Sequence, residues 1–411
     1  MKPRLLVATT CCWFPTARLA MALGNAGFDV KAVCPSRHPL RGAHSVRETH
    51  PYRFLAPLIS FRRAITATAP DLVVPGDDLA VQHLHEVHAR ESRDGNAGGM
   101  ICALIERSLG APESFPLVYA RTRFMELAQD VGLRVPKTQR IGSIGDLRRW
   151  IAQAGFPTVL KADGSSGGLG VRIVHSAEEA ASAFQTLQAP PNVLRAAKWT
   201  LLDQDARLVW PSLLRRRSAV NAQVFVPGRE ATSATVCWKG AVLANLHFEV
   251  VHRAYPAGPA TVLRSIESAE MSSAVARIAR RLNLSGMHGF DFVREECTGN
   301  AHLIEMNPRA TQVGHLTFGP GRDLPAALYA AVSGEDLNVA PKTTENDTIA
   351  LFPQEWTRDP DSVFLRSAYH DVPWEEPSLV LGCVRKRRRR SARHSPQNLI
   401  QTVSPVRLPP A

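Results

Sequence analysis

The stretch His288–Ala310, HGFDFVREECTGNAHLIEMNPRA, constrains the chain more than any other. GFDFV alternates and is rich in aromatics, and HLIEM is a short apolar run. A polar segment holding Gly299 separates them, so the pattern predicts a β-hairpin. Folding it about residue 298 sets Asp291 opposite Glu305. Directly opposed side chains have Cβ atoms roughly 5 Å apart, where two bare carboxylates repel. Strand alternation puts Asn307 on the face of Glu305, and Arg309 follows it to the same patch. A hard divalent cation would explain two acids and an amide gathered in one place, because carboxylate and amide oxygens suit Mg²⁺. The alternative is a cross-strand acid pair on a solvated face, tolerated through screening or a nearby Arg.

The 411 residues suffice for two or three domains, and a content of 45% apolar and 21% charged residues is that of an ordinary globular protein. No apolar run reaches the roughly 18 residues of a membrane span. The start, MKPRLLVATTCCWF, fits a first buried strand better than a signal peptide. The seven cysteines (Cys11, Cys12, Cys34, Cys102, Cys237, Cys297, Cys383) are scattered, with no C-x-x-C pair. Reduced thiols in a cytoplasmic protein without a zinc site are the expectation. Of the net charge of +12, seven basic residues in RKRRRRSAR (385–393) account for more than half. Such a run reads first as a solvated, disordered tail. Nucleic-acid binding is disfavoured, since no aromatic platform accompanies it.

The front of the chain alternates strand and helix. LLVATT, DVKAVC and DLVVPGDD read as strands, and ARLAMALGNAG and LAVQHLHEVHA as helices. That order argues an α/β fold with a doubly wound parallel sheet. Asp77 and Asp78, at a strand's carboxyl end, either line a ligand crevice or cap the next helix. The spacing of His83, His85 and His88 does not put all three on one helical face, so they read as surface histidines and not a metal site. After a Pro/Ser linker near 113–120, RTRFMELAQDVG reads as a helix and VPKTQRIG as a strand. The part from 178 to 218 reads as mostly helical. AVNAQVFV, REATSATVCW and AVLANLHFEVV are three strand signals, with PGRE and KG as the turns between them.

The second informative stretch is GFPTVLKADGSSGGLGVRIV, 155–174. A strand ends at Lys161, a loop of four glycines and two serines follows, and another strand begins. Glycine lets backbone N–H groups approach phosphate oxygens closely, and Lys161 adds a point charge. No G-K-[ST] follows, so this is not a Walker A loop; a strand rather than a helix comes next, so it is not a dinucleotide fingerprint. A hairpin turn without function is the alternative.

In combination, these parts resemble the ATP-grasp family, whose relatives include biotin carboxylase, the large subunit of carbamoyl-phosphate synthase and D-alanine–D-alanine ligase. A lysine-ending strand with a Gly-rich flap is followed about 130 residues later by an acidic hairpin closing on E-x-N-x-R. The resemblance runs from about 118 to 320. It implies a Rossmann-like unit over 1–115 and an ATP-grasp unit over 116–340, with a small lobe at 116–218 and a large lobe at 219–340. A packing segment (341–383) and the basic tail (384–411) would complete the chain. The family's metal ligands fall on Asp291, Glu305 and Asn307. Its phosphate-covering loop falls on Gly164, Ser165, Ser166, Gly167, Gly168 and Gly170, and its phosphate-binding lysine on Lys161. Its second phosphate cation falls on Arg121, with Arg123 as the fallback. The adenine hinge falls on Val224 and Val226 and the ribose acid on Glu230, although the family often has an acid where Val224 stands. Arg309 would stand beside the transferred phosphate. The implied cofactors are ATP and two Mg²⁺ bridged by Glu305, with Mn²⁺ able to use the same oxygens. The implied chemistry is ligation of a small carboxylate to an amine, or less often a thiol, through an acyl phosphate. Other phosphoryl chemistry, or a regulatory role without turnover, is the alternative. His247, Glu249, His252 and Arg264 would lie where a substrate could reach, although a structural role is the favoured reading of each, and a homodimer is the family-level expectation.

Overall fold

The computed structural model describes residues 2–93, 99–164, 167–193 and 209–394. Its first sheet contains strands β1 (Arg4–Ala8), β2 (Asp29–Cys34), β3 (Val46–Pro51) and β4 (Leu72–Pro75). All pair in parallel, in the order β3-β2-β1-β4. Helices cover both faces, which is why β4 reads as an unbroken apolar run and is buried throughout. On one side Leu6, Val73 and their neighbours pack under α2 (Pro57–Thr68), α3 (Asp78–Glu91) and α4 (Gly99–Leu109). On the other, Leu5, Val7 and Val74 pack under α1 (Phe14–Asn25), and this core runs on into the largest sheet.

The histidines of α3 are not at the surface. His83 packs against Tyr52 and Phe61, and burial pushes it down to about 4. His85 stacks on Phe115 at 3.8 Å and is pushed down to about 3 by burial, with His88 adding to it. His88 bonds Glu106 at 2.7 Å. Helix α3 is a packed element of the front unit, so its histidines fill space.

A second, antiparallel sheet orders β5 (Thr138–Ile141), β8 (Val220–Val224), β6 (Thr158–Ala162) and β7 (Val171–Val174) as β5-β8-β6-β7. Helices α6 (Ile144–Ala154) and α7 (Ala177–Gln188) cover it through Trp150 and Phe184. Of the stretch expected to be helical, 194–208 lie outside the described residues.

The third sheet has the order β13-β12-β9-β10-β11-β14-β15. Its strands are β9 (Gly228–Trp238), β10 (Ala241–Arg253), β11 (Ala260–Ile266), β12 (Gly286–Glu295), β13 (Ala301–Asn307), β14 (Thr348–Leu351) and β15 (Tyr369–Asp371). Lys239 and Gly240, with φ of 49° and 80°, make the two-residue turn joining β9 and β10. The other expected turn behaves differently. β8 belongs to the second sheet and β9 to the third, so the link between them crosses from sheet to sheet instead of closing a hairpin.

The basic run does not read out as an unstructured tail either. A helix spans Pro377–His394 and carries it, with Arg387 over the Trp356 ring at 4.4 Å. Residues 395–411 lie outside the described set. No helix among the described residues is long and apolar enough to cross a membrane.

Candidate functional site

The site is built on the β12–β13 hairpin. Asp291 and Glu305 are register partners, as folding about residue 298 requires. The register then slips: Phe292 pairs with Leu303, leaving Ile304 as an extra residue on β13. A bulge of this kind takes one residue out of the ladder. The Ile304 carbonyl is the acceptor for Lys161 Nζ, at 3.3 Å. The bulge therefore ties the end of β6 to the acid-bearing strand.

Asn307 Nδ2 donates to Asp291 Oδ2 at 2.9 Å. Burial, and then the neighbouring Glu305, raise Asp291 above the usual carboxylate range, against hydrogen bonds from Thr232 and Asn307. Lys161 is buried, 5% exposed. That burial pushes its ammonium down to about 8, although Glu305 pulls the other way. Arg121 opens α5 (Arg121–Asp130) and reaches Glu305 Oε1 at 2.5 Å and the Ala162 carbonyl at 3.3 Å. Arg123 is exposed, so Arg121 is the cation brought to the hairpin. Lys161, Arg121, Asp291, Glu305 and Asn307 thus share one patch between the second and third sheets.

Arg309 enters from beyond β13. Its Nε donates to Asp78 Oδ1 at 3.2 Å, Nη1 to the Ala310 carbonyl at 3.1 Å and Nη2 to Asn307 Oδ1 at 3.4 Å. Its guanidinium lies over the Trp13 ring at 5.3 Å. Burial works against its charge, but Asp78, with Asp77 and Asp291 adding to it, raises its pKa above the ordinary arginine value. The two front acids divide their roles. Asp77 is the N-cap of α3, accepting from Ala80 N, Thr10 N and the hydroxyls of Thr9 and Thr10. Asp78 faces Arg309.

The glycine loop follows Lys161 between β6 and β7. Gly164, Gly167 and Gly168 have φ of 71°, 64° and 74°. Ser165 and Ser166 lie outside the described residues. The Gly170 carbonyl accepts from Ala162 N at 2.8 Å, closing the loop's base. Its far side seats on the β10–β11 connection, where Tyr255 Oη donates to the Gly167 carbonyl at 2.8 Å.

The hinge residues fall at the sheet-to-sheet link, with two corrections. The Val224 amide donates to the Lys137 carbonyl at 3.0 Å, so it is not on offer to a base; Val226 lies within the link. The Glu230 carboxylate forms an ion pair with Arg253, which a ribose would have to share. Nor do His247 and Glu249 face the hairpin acids. Across the sheet Asp291 pairs with Thr232 and Thr232 with Phe248, whereas Phe292 pairs with Ala231 and Ala231 with Glu249. Neighbours along a strand face opposite ways, so Glu249 and His247 lie on the far side of the sheet. His247 is buried between Ser233 and Ser272 at 2.7 and 2.8 Å, and burial, with Arg322 adding to it, pushes it down to about 4. Arg264 pairs with Glu249 and is exposed, and His252 packs its ring near Phe364. Sequence reasoning missed Arg253, Trp13 and Tyr255, none of which belongs to a motif. Among the described residues, no group of three or more His, Cys, Asp or Glu could hold a metal ion, so any cation here relies on the acid pair, Asn307 and its own ligands.

Residues 120–318 match the family described as carbamoyl-phosphate synthase L chain, ATP binding domain. Over this stretch, just under half of its length, the chain is similar to ATP-grasp proteins. It is 24% identical over 336 residues to the carbamoyl phosphate synthase large chain of Thermus thermophilus, covering 76% of this chain and 31% of that one. It is 26% identical over 195 residues to acetyl-CoA carboxylase of Schizosaccharomyces pombe, covering 46% of this chain and 8% of that one. The chain therefore spans less than a third of the length of these curated relatives. Among solved structures, the biotin carboxylase domain of the Hydrogenobacter thermophilus 2-oxoglutarate carboxylase, in complex with MgADP and bicarbonate, superposes with a TM-score of 0.56. It is 15% identical, covering 82% of this chain and 71% of that one. N5-carboxyaminoimidazole synthase of Aspergillus clavatus, in complex with ADP and its ribonucleotide, gives 0.57 at 15% identity, covering 83% and 79%. At such identity these likenesses speak to the fold.

Proposed function

We propose that the chain is an ATP-dependent ligase that activates a substrate carboxylate as an acyl phosphate and couples it to an amine, or less often a thiol. The observation that carries this reading is the meeting of Lys161 and Arg121 with β13 at the Asp291–Glu305 pair. Two anionic groups side by side, with two cations aimed at the same strand, suit a nucleotide triphosphate and its counter-ion better than acid–base work.

The donor set fits Mg²⁺. It is oxygen throughout, and Asp291 is pushed toward protonation by burial and Glu305, a cost that a divalent cation would remove. Asp291, Glu305 and the Asn307 side-chain oxygen would hold it, and bound there it would neutralise the triphosphate. The chain's own residues do the rest. Lys161 and Arg121 take the phosphate oxygens, and Arg309 stands over the transferred group. Loss of one such charge-stabilising contact typically costs on the order of 10² in rate. The substrate carboxylate attacks the γ-phosphorus, ADP leaves with the bridging oxygen, and the amine then displaces phosphate from the acyl group. The glycine loop, seated on Tyr255, keeps water from the acyl phosphate. On this reading residues 1–115 form the front unit and 116–340 the ATP-grasp unit. The 341–383 segment packs against them.

Glu305→Gln tests it. The variant should melt as the parent does, yet lose MgATP-dependent phosphate release; full turnover in this variant would sink the reading.

A further inference from the structure

The proposed function leaves the carboxylate substrate without a place. One seam has the chemistry to hold it. The carboxyl ends of β1 and β4 abut the residues after β13, where Ala310 N donates to the Pro75 carbonyl at 3.3 Å. Arg309 leans across this seam onto Asp78 and Trp13 while its Nη2 keeps a 3.4 Å contact with Asn307 of the hairpin. Two hydroxyls near it stand out. Tyr119 Oη is buried and without a hydrogen-bond partner among the described residues, and burial, then Asp78 and Asp77, raise its pKa. Thr311 Oγ1 is likewise buried and without a partner, and its methyl lies where a Cβ on Gly289 would sit, beside Asn307. Buried polar groups are normally satisfied, so each of these two needs a partner, which water or a bound polar molecule can supply. The seam thus offers a guanidinium, a carboxylate, two unsatisfied hydroxyls and an indole face.

We propose that this seam binds the carboxylate substrate, and that this substrate is a small zwitterion bearing a carboxylate and a cationic amine. The inference rests on the ligase reading. The carboxylate lies against Arg309, next to the transferred phosphate, and the ammonium lies against Asp78. Tyr119 and Thr311 serve the remaining polar atoms. Charge balance selects this class. A bare anion would add to Asp78, Asp291 and Glu305; a bare cation would meet Arg309, Arg121 and Lys161. A molecule carrying both signs offsets both. Asp78 also keeps the amine protonated, so it cannot attack its own acyl phosphate. In the step itself, a carboxylate oxygen bonds to the γ-phosphorus as the bond from γ-phosphorus to the bridging oxygen breaks. ADP takes the electron pair, and the ammonium keeps its proton.

The test uses the full chain with MgATP. Phosphate release is measured with the standard L-amino acids and β-alanine, and for each responder with its des-amino acid. At least one zwitterion should raise release well above MgATP alone and outperform its des-amino analogue. Asp78→Asn should raise KM for that zwitterion roughly tenfold or more, the weight of one charge-assisted contact, and narrow its lead over the analogue. Tyr119→Phe, a smaller change should Asp78→Asn fold poorly, should raise the same KM several-fold. The inference is overturned if des-amino acids serve equally well, or if neither variant moves the zwitterion's KM. It is also overturned if no zwitterion stimulates release while MgATP binds in a Glu305-dependent way, a result that leaves the ligase reading standing. If MgATP does not bind at all, both fall.

Discussion

Gly168 is where the flap meets the body of the protein most tightly, so Gly168→Ala is the sharpest probe of the flap's role. Gly168 has φ of 74°, where an L side chain costs about 1–2 kcal/mol. Its new Cβ would also lie 1.6 Å from the Ala257 carbonyl oxygen and 2.4 Å from the carbonyl carbon. Both are backbone atoms, so no rotamer change relieves the clash. The loop beneath cannot easily yield. Arg253 Nη1 holds the Gly258 carbonyl at 2.6 Å, Ala254 N holds the Pro259 carbonyl at 3.0 Å, and Gly258 lies against the Tyr255 ring. The flap must therefore lift, losing the Tyr255–Gly167 hydrogen bond, worth about 0.5–1.5 kcal/mol. Together these terms disfavour the seated flap by about 1.5–3.5 kcal/mol, or roughly 12- to 300-fold. MgATP affinity, measured by calorimetry, should fall by up to that factor. The fraction of phosphate released without ligated product should rise as water enters. Tyr255→Phe removes the hydrogen bond alone and should cost roughly 2- to 12-fold. Gly168→Ala binding MgATP as the parent does, at an unchanged melting temperature, would refute the idea that the flap closes on this loop.

Two further predictions concern titration and stability. Burial holds Lys161 near 8, and a bound triphosphate favours its charged form. MgATP affinity should therefore be greatest below about pH 8 and fall about tenfold per pH unit above it, with proton uptake on binding. Calorimetry at rising pH in buffers of different ionisation enthalpy would show this, and a flat profile from pH 7 to 9.5 would disprove it. Asp371, 1% exposed, bonds Arg18 of α1 at 2.5 Å and His315 at 2.7 Å. Burial opposes its charge, but His315 and Arg18 prevail and lower its pKa. The stability it contributes is complete above the usual aspartate range near 4 and is lost as pH falls through the lowered folded value. Asp371→Ala leaves the buried Arg18 guanidinium with only the partly exposed Glu375, at 3.1 Å, as its ionic partner and should cost up to about 3–5 kcal/mol, read from the urea midpoint at neutral pH; an unmoved midpoint would count against it.

The parts of the site that could be read from the sequence are those set by local periodicity. Alternation in GFDFV and HLIEM fixes which residues share a face, so the pairing of Asp291 with Glu305 follows from counting alone. Lys161, as the last charged residue of a buried strand before a glycine run, is legible in the same way. The parallel front sheet also follows from strand–helix alternation. Periodicity says nothing, however, about where a strand slips. The bulge at Ile304 turns its carbonyl to Lys161, and no composition signal marks it. The helical course of the basic run to His394 was hidden for a different reason. Its like charges argue against a helix, whereas the apolar residues just before them, which include Leu379 and Val380, dock on the core and start one.

The placing of His247 and Glu249 shows the limit most clearly. Each sits a few residues from β-strand positions that do carry the site, and each is the right type for chemistry. What assigns them is parity carried across two strand pairings, from β12 through β9 to β10, and a one-residue error in either pairing would reverse the answer. Glu249 instead lies near Arg229 and Arg294, both at 3.4 Å, on the face turned from Asp291. The same long-range dependence hid Asp78. Its contact with Arg309 spans 231 residues and exists only because the core beneath α1 joins the front sheet to the largest one. On the proposed reading, a front acid that sets the arginine of the hairpin would couple binding at the front unit to the geometry beside the transferred phosphate. Replacing Trp13 by Leu, which keeps an apolar cover but removes the ring under Arg309, should then weaken turnover more than MgATP binding, while equal losses in both would place Trp13 in the fold alone.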